Sequence, residues 1–397
     1  MIREIELRAF KCFQKRQLPL RPLTLLTGLN AAGKSTVLQA FLFLHQALLE
    51  GTRDMDSGRT LAPLNGSMLR MGAVKDVVDK VQGGGAFAIR LRYEGLSVEW
   101  AFKGKQRDDL SVMLDRVRWE DPVAGSSAED ERDLFPAALA SEPRARAMFG
   151  VLADVRYVPA DRTGPAETYP LDDPAQHRSL GVRGERTVGA LFWRGEERIE
   201  LESLLHPDPE IATRLDRQVE AWLADLFPGV VLEVARVPHA NLLTLGIRTS
   251  DKTDFHRPQH VGFGVTYALP IIVALLGAKR GELVIIENPE AHLHPRAQSR
   301  LGRLSALAVS AGIQVLIETH SEHVLNGARL AVHDGIVNAD DTSVMFFTRG
   351  PDAGEHSIQH ITMNRRGQLD DWPHGFFDES ERVLDALLAP PPGGARA

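Results

Sequence analysis

The chain has 397 residues, 43% of them hydrophobic and 25% charged, with a formal net charge of −7; this excludes global disorder and a surface that is basic throughout, as in a dedicated polyanion clamp. One cysteine, Cys12, excludes an intramolecular disulfide and a cysteine-based zinc site, which fits a reducing compartment. The start, Met1-Ile2-Arg3-Glu4-Ile5-Glu6, is charged and alternating, unlike a signal peptide, and no apolar run reaches membrane-spanning length, so a cytoplasmic protein without membrane contact is expected.

Ile2 to Phe10 alternates like a half-exposed strand, and Gln17 to Leu20 reads as its hairpin partner. Between them Phe10-Lys11-Cys12-Phe13 sets two aromatics and a lysine in a loop, readable either as a platform for an adenine ring or as two core phenylalanines. Pro22 to Thr27 is a short apolar, β-prone run. It leads into Gly28-Leu29-Asn30-Ala31-Ala32-Gly33-Lys34-Ser35-Thr36, which fits G-x-x-x-x-G-K-S/T, and then into an apolar helix from Val37 to Leu44. Gly28 and Gly33 let the backbone curl so that successive N–H groups point inward, and the helix adds its positive end. Phosphate suits such a cavity: Lys34 would bridge the β- and γ-phosphates, and the Ser35 hydroxyl would be one ligand of Mg²⁺.

A polar passage over Glu50 to Thr60 and the Leu64 to Val78 segment carry no chemistry that the sequence assigns. Phe87 to Leu91, Leu96 to Phe102 and Val112 to Trp119 alternate like antiparallel strands, with Gly83-Gly84-Gly85 and Glu94-Gly95 as turns, and Asp121 to Asp133 reads as an acidic loop. Val155 to Arg162 reads as a buried strand ending in a charged pair, for which a plain salt bridge is the expected role. Ile211 to Leu226 has helical periodicity and Val230 to Val237 alternates as a strand. No sustained apolar heptad separates Lys34 from Gly262, so a long coiled-coil arm is not expected.

From Val261 the chain runs Gly262-Phe263-Gly264-Val265-Thr266, an apolar helix from Tyr267 to Leu276, and a strand over Leu283 to Ile286 that delivers Glu287. An acid there, in Walker B position, would orient a water of Mg²⁺. Glu290 is the better carboxylate for positioning the attacking water, because Asn288, next to Glu287, orients water but is a poor base. Ile313 to Glu318 forms a third buried strand ending at Thr319-His320-Ser321, where His320 can sense the γ-phosphate. His292 and His294 have no third ligand nearby and are expected in a structural loop.

Together, Gly28 to Thr36, Ile286 to Pro295 and Thr319-His320-Ser321 resemble the ABC-type head ATPases of the SMC/RecF/OLD branch, in particular compact OLD-like proteins. Phe10-Lys11-Cys12-Phe13, Leu64-Asn65-Gly66 and the closing Asp371 to Asp378 are similar to a subset of them. The resemblance implies an α/β P-loop NTPase with ABC/SMC-like head architecture, a mixed sheet plus an antiparallel β subdomain and inserted helices. It implies a head over 1–350, with a β-rich and helical insertion at about 100–255, and an extension over 351–397 ending in a Pro/Gly tail. It further implies ATP and Mg²⁺ bound between two copies, with Gly262, Phe263 and Gly264 on the second copy's γ-phosphate. The implied biology is DNA repair or anti-phage defence, through a partner effector such as a nuclease. The signature serine is missing and Asn288 stands at the second Walker B position, so slow hydrolysis is expected, with a nucleotide-gated scaffold as the alternative. A transporter subunit fits less well, given the missing serine and the β-rich insertion. The fused Toprim nuclease of larger relatives has no counterpart, since only a short β-prone tail is expected after Ser321. DNA enters as a partner from the resemblance alone, because Arg144-Ala145-Arg146 and Lys279-Arg280 are thin basic patches.

Overall fold

A computed structural model describes residues 1–79, 84–121, 126–130, 132–174, 179–350 and 356–389. The opening alternation folds into a hairpin of β1 (Ile2–Phe10) and β2 (Phe13–Pro19), followed by β3 (Leu23–Gly28). The glycine loop then opens into α1 (Lys34–Glu50), which runs past the expected end at Leu44 because His45, Gln46 and Ala47 are buried as well. Next come β4 (Thr52–Arg53), β5 (Thr60–Pro63), the single turn α2 (Val74–Val77), β6 (Ala86–Tyr93), β7 (Leu96–Lys103), β8 (Ser111–Asp121) and β9 (Ser126–Asp130). The expected acidic loop over 121–133 therefore includes a strand paired with β8, while 122–125, 131 and Gly83 lie outside the described residues.

The middle of the chain gives α3 (Pro143–Ala153), β10 (Arg156–Val158), β11 (Tyr169–Pro170), α4 (Thr187–Arg194), α5 (Leu215–Leu226), β12 (Val231–Arg236) and β13 (Leu242–Arg248). The last third gives α6 (Phe263–Leu276), β14 (Leu283–Glu287), α7 (Pro295–Ser310), β15 (Gln314–Glu318), α8 (Glu322–His333), β16 (Thr342–Arg349), β17 (His356–Ile361) and α9 (Glu379–Leu388). The chain beyond Ser321 is thus more than a β-prone tail. Ser321 caps α8 by accepting from the His323 and Val324 N–H groups, and β16 then returns to the middle of a sheet. The Pro/Gly tail expected at the end lies beyond residue 389, outside the described residues.

Among the described residues three sheets form. The first is antiparallel, in the order β2-β1-β6-β7-β8-β5-β4 with β9 on β8; the second runs β10-β14-β15-β3-β16-β17; the third is β11-β13-β12. In the second sheet all neighbours pair in parallel except β17, which is antiparallel to β16. The span expected as an insertion at about 100–255 is therefore not one unit. The antiparallel sheet already starts at residue 2, and β10 inside that span belongs to the parallel sheet.

The apolar runs read as buried strands are apolar because both faces are covered. On β14, Leu283 and Ile285 face one core, and Val284 and Ile286 the other. The first core lies between the two large sheets and is filled by α1, whose Phe43 meets Phe87 at 5.5 Å and Phe102 at 4.9 Å. An apolar helix between two sheets needs no polar face, which accounts for the continuous Val37 to Leu44 run. The second core packs α6, α7 and α8 against the opposite face of the parallel sheet.

A single side chain also ties the two large sheets together. Gln314, at the start of β15 and 1% exposed, accepts from the Ile2 N–H at 2.9 Å and donates to the Ile2 carbonyl at 2.7 Å. Gln314→Leu would leave both backbone groups buried and unpaired, at a cost of about 2–4 kcal/mol. Urea unfolding is expected to give an unfolding free energy lower by that amount, seen as a lower midpoint at unchanged slope, and an unchanged midpoint would mean that water or a backbone shift takes over both bonds.

Candidate functional site

At the C-terminal edge of the parallel sheet the loop from Gly28 to Thr36 has the form its sequence requires. Gly28 sits at φ +116°, where a Cβ would lie 2.1 Å from the Phe347 carbonyl oxygen of β16; Gly33 sits at φ +106°, where a Cβ would lie 2.5 Å from the Phe13 ring. Neither position admits a side chain. Helix α1 has no side-chain cap at Gly33 and no acid in its first turn, so its leading N–H groups remain available to an anion. Lys34 is buried and folds back on the loop, donating to the carbonyls of Gly28 at 3.1 Å and Leu29 at 2.8 Å. Burial lowers its pKa, with Glu318, 4.0 Å away, opposing the shift.

A cavity of about 440 Å³ opens over the loop, lined by Asn30, Ala31, Gly33, Lys34, Ser35 and Thr36 from the motif itself, and by Lys11, Cys12, Gln39, Asn288, Glu318 and His320. Its size suits a small-molecule ligand. Ala32 is buried beneath, its carbonyl 3.1 Å from His356 Nδ1. Phe10 and Phe13 are core residues, 0% and 2% exposed, so the adenine-platform alternative fails; the loop instead offers Lys11, whose Nζ donates to Gln39 Oε1 at 2.5 Å, and Cys12.

Parallel register sets Glu287 directly opposite Glu318, and Glu318 opposite Leu26 of β3. The acid nearest the motif is Glu318. Its Oε1 accepts from Ser35 Oγ at 3.0 Å, while its Oε2 is buried with no hydrogen-bond partner. Burial raises its pKa. Glu287 does not line the cavity; the Tyr157 hydroxyl and the Ala160 N–H on the β10 side favour its charged form. Burial, and after it the negative charge of Glu318, push the Glu287 carboxyl up to about 7. Desolvation and the Glu287 carboxylate push Tyr157 up as well.

Arg162, expected in a plain salt bridge, is instead 1% exposed, and its neighbour Asp161 pairs with Arg183 at the surface. Arg162 donates to the carbonyls of Pro159 at 2.8 Å, Tyr267 at 3.3 Å, Asn288 at 2.7 Å and Glu287. Desolvation lowers its pKa to about 10, with Glu290 the largest opposing charge. One guanidinium thus joins the end of β10, helix α6 and the acidic end of β14.

Both oxygens of Glu290 are engaged: Thr319 Oγ1 donates to Oε2 and the His320 N–H to Oε1, each at 2.7 Å. Glu290 therefore holds the turn after β15. His320 is exposed at the cavity rim, its pKa lowered by desolvation and then by Lys34. Asn288 takes φ +44° and donates its N–H to the Glu318 carbonyl at 2.8 Å. Gly262, Phe263 and Gly264 begin α6 away from the cavity, and Phe263, 52% exposed, stacks on His292 at 5.1 Å. His294 accepts from the Arg296 N–H and so caps the start of α7. Arg144 is held by Asp121 and Glu142, and Lys279 lies 3.5 Å from Glu200, which leaves both basic patches partly neutralised.

Residues 23–326 match the family described as "AAA domain, putative AbiEii toxin, Type IV TA system". The chain belongs to this family. Residues 337–387 match a second family, described as a protein of unknown function, DUF3696. No curated protein matches the chain. Among solved structures, it is similar to an SMC head bound to the C-terminal winged-helix domain of ScpA, with 15% identity, 91% of this chain and 98% of that chain covered, and a TM-score of 0.48. For an SMC head domain from Thermotoga maritima the figures are 12%, 90%, 98% and 0.41. For an SMC head with an extended coiled coil, bound to the C-terminal domain of ScpA derived from Pyrococcus furiosus, they are 13%, 97%, 99% and 0.48. By family, and by the glycine loop that joins β3 of the parallel sheet to α1, the chain is a P-loop nucleotide-binding ATPase of α/β fold. Among the described residues, no helix is long and apolar enough to cross a membrane.

Nucleotides bind P-loops with Mg²⁺. Among the described residues no three His, Cys, Asp or Glu side chains form a cation cage, so a cation here needs phosphate oxygens and water, which is how Mg²⁺ is usually held. The residues fit it, since Ser35 Oγ and the carboxylate of Glu318, with one buried unpaired oxygen, converge beside Lys34.

The raised Glu287 pKa contributes stability that is full below about 4.5 and is lost as pH rises through about 7. With no nucleotide added, Glu287→Gln is expected to flatten the pH dependence of the melting temperature across that window and to exceed the wild type in stability on its alkaline side. An unchanged slope would mean that Glu287 is ionised in the fold at neutral pH.

Proposed function

We propose that this chain binds ATP with Mg²⁺ at the loop from Gly28 to Thr36, hydrolyses it slowly, and closes on a second copy around the nucleotide to control a partner. The observation that carries the reading is the uncapped N-terminus of α1 beneath a cavity where Lys34, Ser35, Asn288, Glu318 and His320 converge. The loop N–H groups and Lys34 would hold the phosphates, and Lys34 would leave the carbonyls of Gly28 and Leu29 to do so. Mg²⁺ would neutralise phosphate charge, held by Ser35 with a strand-end acid, Glu287 or Glu318. Glu290 would position the attacking water, directly or through His320, whose main-chain N–H it already binds, with Asn288 adding a hydrogen bond. Gly262, Phe263 and Gly264 stand clear of their own chain's cavity, as residues serving a second copy's nucleotide would.

The family description supports a toxin–antitoxin setting for the partner; anti-phage defence or DNA repair, with a nuclease as effector, is the biology that the resemblance of the sequence motifs implies. Arg144 and Lys279 are already paired, so neither patch offers a free cation pair to DNA phosphates. The reading of a nucleotide-gated scaffold with little hydrolysis draws on Asn288 and on the two bonds that occupy Glu290.

Single-turnover hydrolysis separates these readings. Lys34→Ala is expected to abolish turnover and Glu290→Gln to slow it ~10²-fold or more, the usual scale for a lost general base. A Glu290→Gln variant as fast as wild type would leave Glu290 only its anchoring of the turn. Light scattering of the full chain with Mg²⁺ and a non-hydrolysable ATP analogue should report twice the single-chain mass of 43.7 kDa. A mass that stays at one chain contradicts the closing dimer.

A further inference from the structure

We propose that Glu318, rather than the Walker B acid Glu287, is the carboxylate that takes the divalent cation together with Ser35. The inference rests on the proposed nucleotide site and deepens it.

Three observations carry it. The first is the bond from Ser35 Oγ to Glu318 Oε1 at 3.0 Å. The hydroxyl after the P-loop lysine is a protein ligand of the cation in such sites, and the carboxylate it already touches is the one that can share a cation with it. The second is Glu318 Oε2, buried and without a hydrogen-bond partner, in a side chain 9% exposed. An unpaired buried carboxylate oxygen is costly, and a cation at the cavity floor would satisfy it. The third is the opposite condition of Glu287. It does not line the cavity, and the strand it ends, β14, stands on the far side of β15 from the glycine loop, next to β10.

Topology explains why the two acids part company. Strand β15 lies between β3, which carries the loop, and β14, so Glu318 is one strand from Ser35 and Glu287 is two. Lys34 Nζ lies 4.0 Å from Glu318 and is the cationic neighbour of that carboxylate. When phosphate draws Lys34 away, the carboxylate loses that partner at the moment the nucleotide brings in a divalent cation.

The test is a titration of the full chain with Mn²⁺ and a fluorescent non-hydrolysable ATP analogue, so that no turnover is needed, supported by the electron paramagnetic resonance of bound Mn²⁺. Wild type is expected to bind the analogue more tightly with Mn²⁺ than without it. Glu318→Gln should weaken the Mn²⁺ dependence about tenfold or more, the scale of a disrupted metal site, while Glu287→Gln keeps it. If Glu318→Gln fails to fold by circular dichroism, Glu318→Asp, which draws the charge one methylene back from Ser35, is read in the same titration with a weakened Mn²⁺ dependence expected. Loss of the dependence in Glu287→Gln, with or without loss at Glu318, overturns the assignment while leaving the nucleotide reading intact. No binding of the analogue by wild type, with or without Mn²⁺, overturns both.

Discussion

The parallel register of β14, β15 and β3 is the constraint on which the rest of the structure depends. Glu287 pairs with Glu318, and Glu318 with Leu26, two residues before Gly28, so the strands end together and deliver their following residues to one edge. From that edge come the glycine loop, Asn288, Glu290 and His320. A slip of one residue would turn each of these side chains to the other face and bury a different set. The register is held because both faces are apolar and both are covered, by α1 on one side and by α6, α7 and α8 on the other.

The edge is then stiffened by polar bonds within the chain. Arg162 collects four carbonyls from three segments; Glu290 spans from the end of β14 to the turn after β15; Asn288 bonds back to the Glu318 carbonyl. Such bonds to a buried charge are among the stronger ones a protein makes, and removing one partner leaves the other unpaired. Because Arg162 also binds the Tyr267 carbonyl of α6, the helix that starts at Gly262-Phe263-Gly264 is fixed to the same frame as the acids.

Much of this was legible in the sequence because it rests on local patterns. The glycine spacing required a phosphate loop, and the structure gives Gly28 and Gly33 the positive φ that spacing implies. The uninterrupted apolar runs of β14 and β15 marked strands buried on both faces. What escaped depends on partners far away in the chain. Glu318 ends an apolar strand just as Glu287 does, and the same reasoning applied to both would have found it; only the order of strands shows which one reaches Ser35. Arg162 looked like half of a plain salt bridge because nothing nearby in sequence reveals that four carbonyls surround it. Phe10 and Phe13 could be read as core or as platform until the antiparallel sheet closed over them. That sheet takes its first strand from residue 2 and its last from residue 130, so no composition break marked it as a unit.

The central claim is that this edge of the sheet is a nucleotide site. Calorimetric titration of the full chain with a non-hydrolysable ATP analogue and Mg²⁺ tests it most directly. Saturable binding of one nucleotide per chain, lost in Lys34→Ala, is the predicted result. Absence of saturable binding by the wild-type chain, or equal binding by Lys34→Ala, would contradict it.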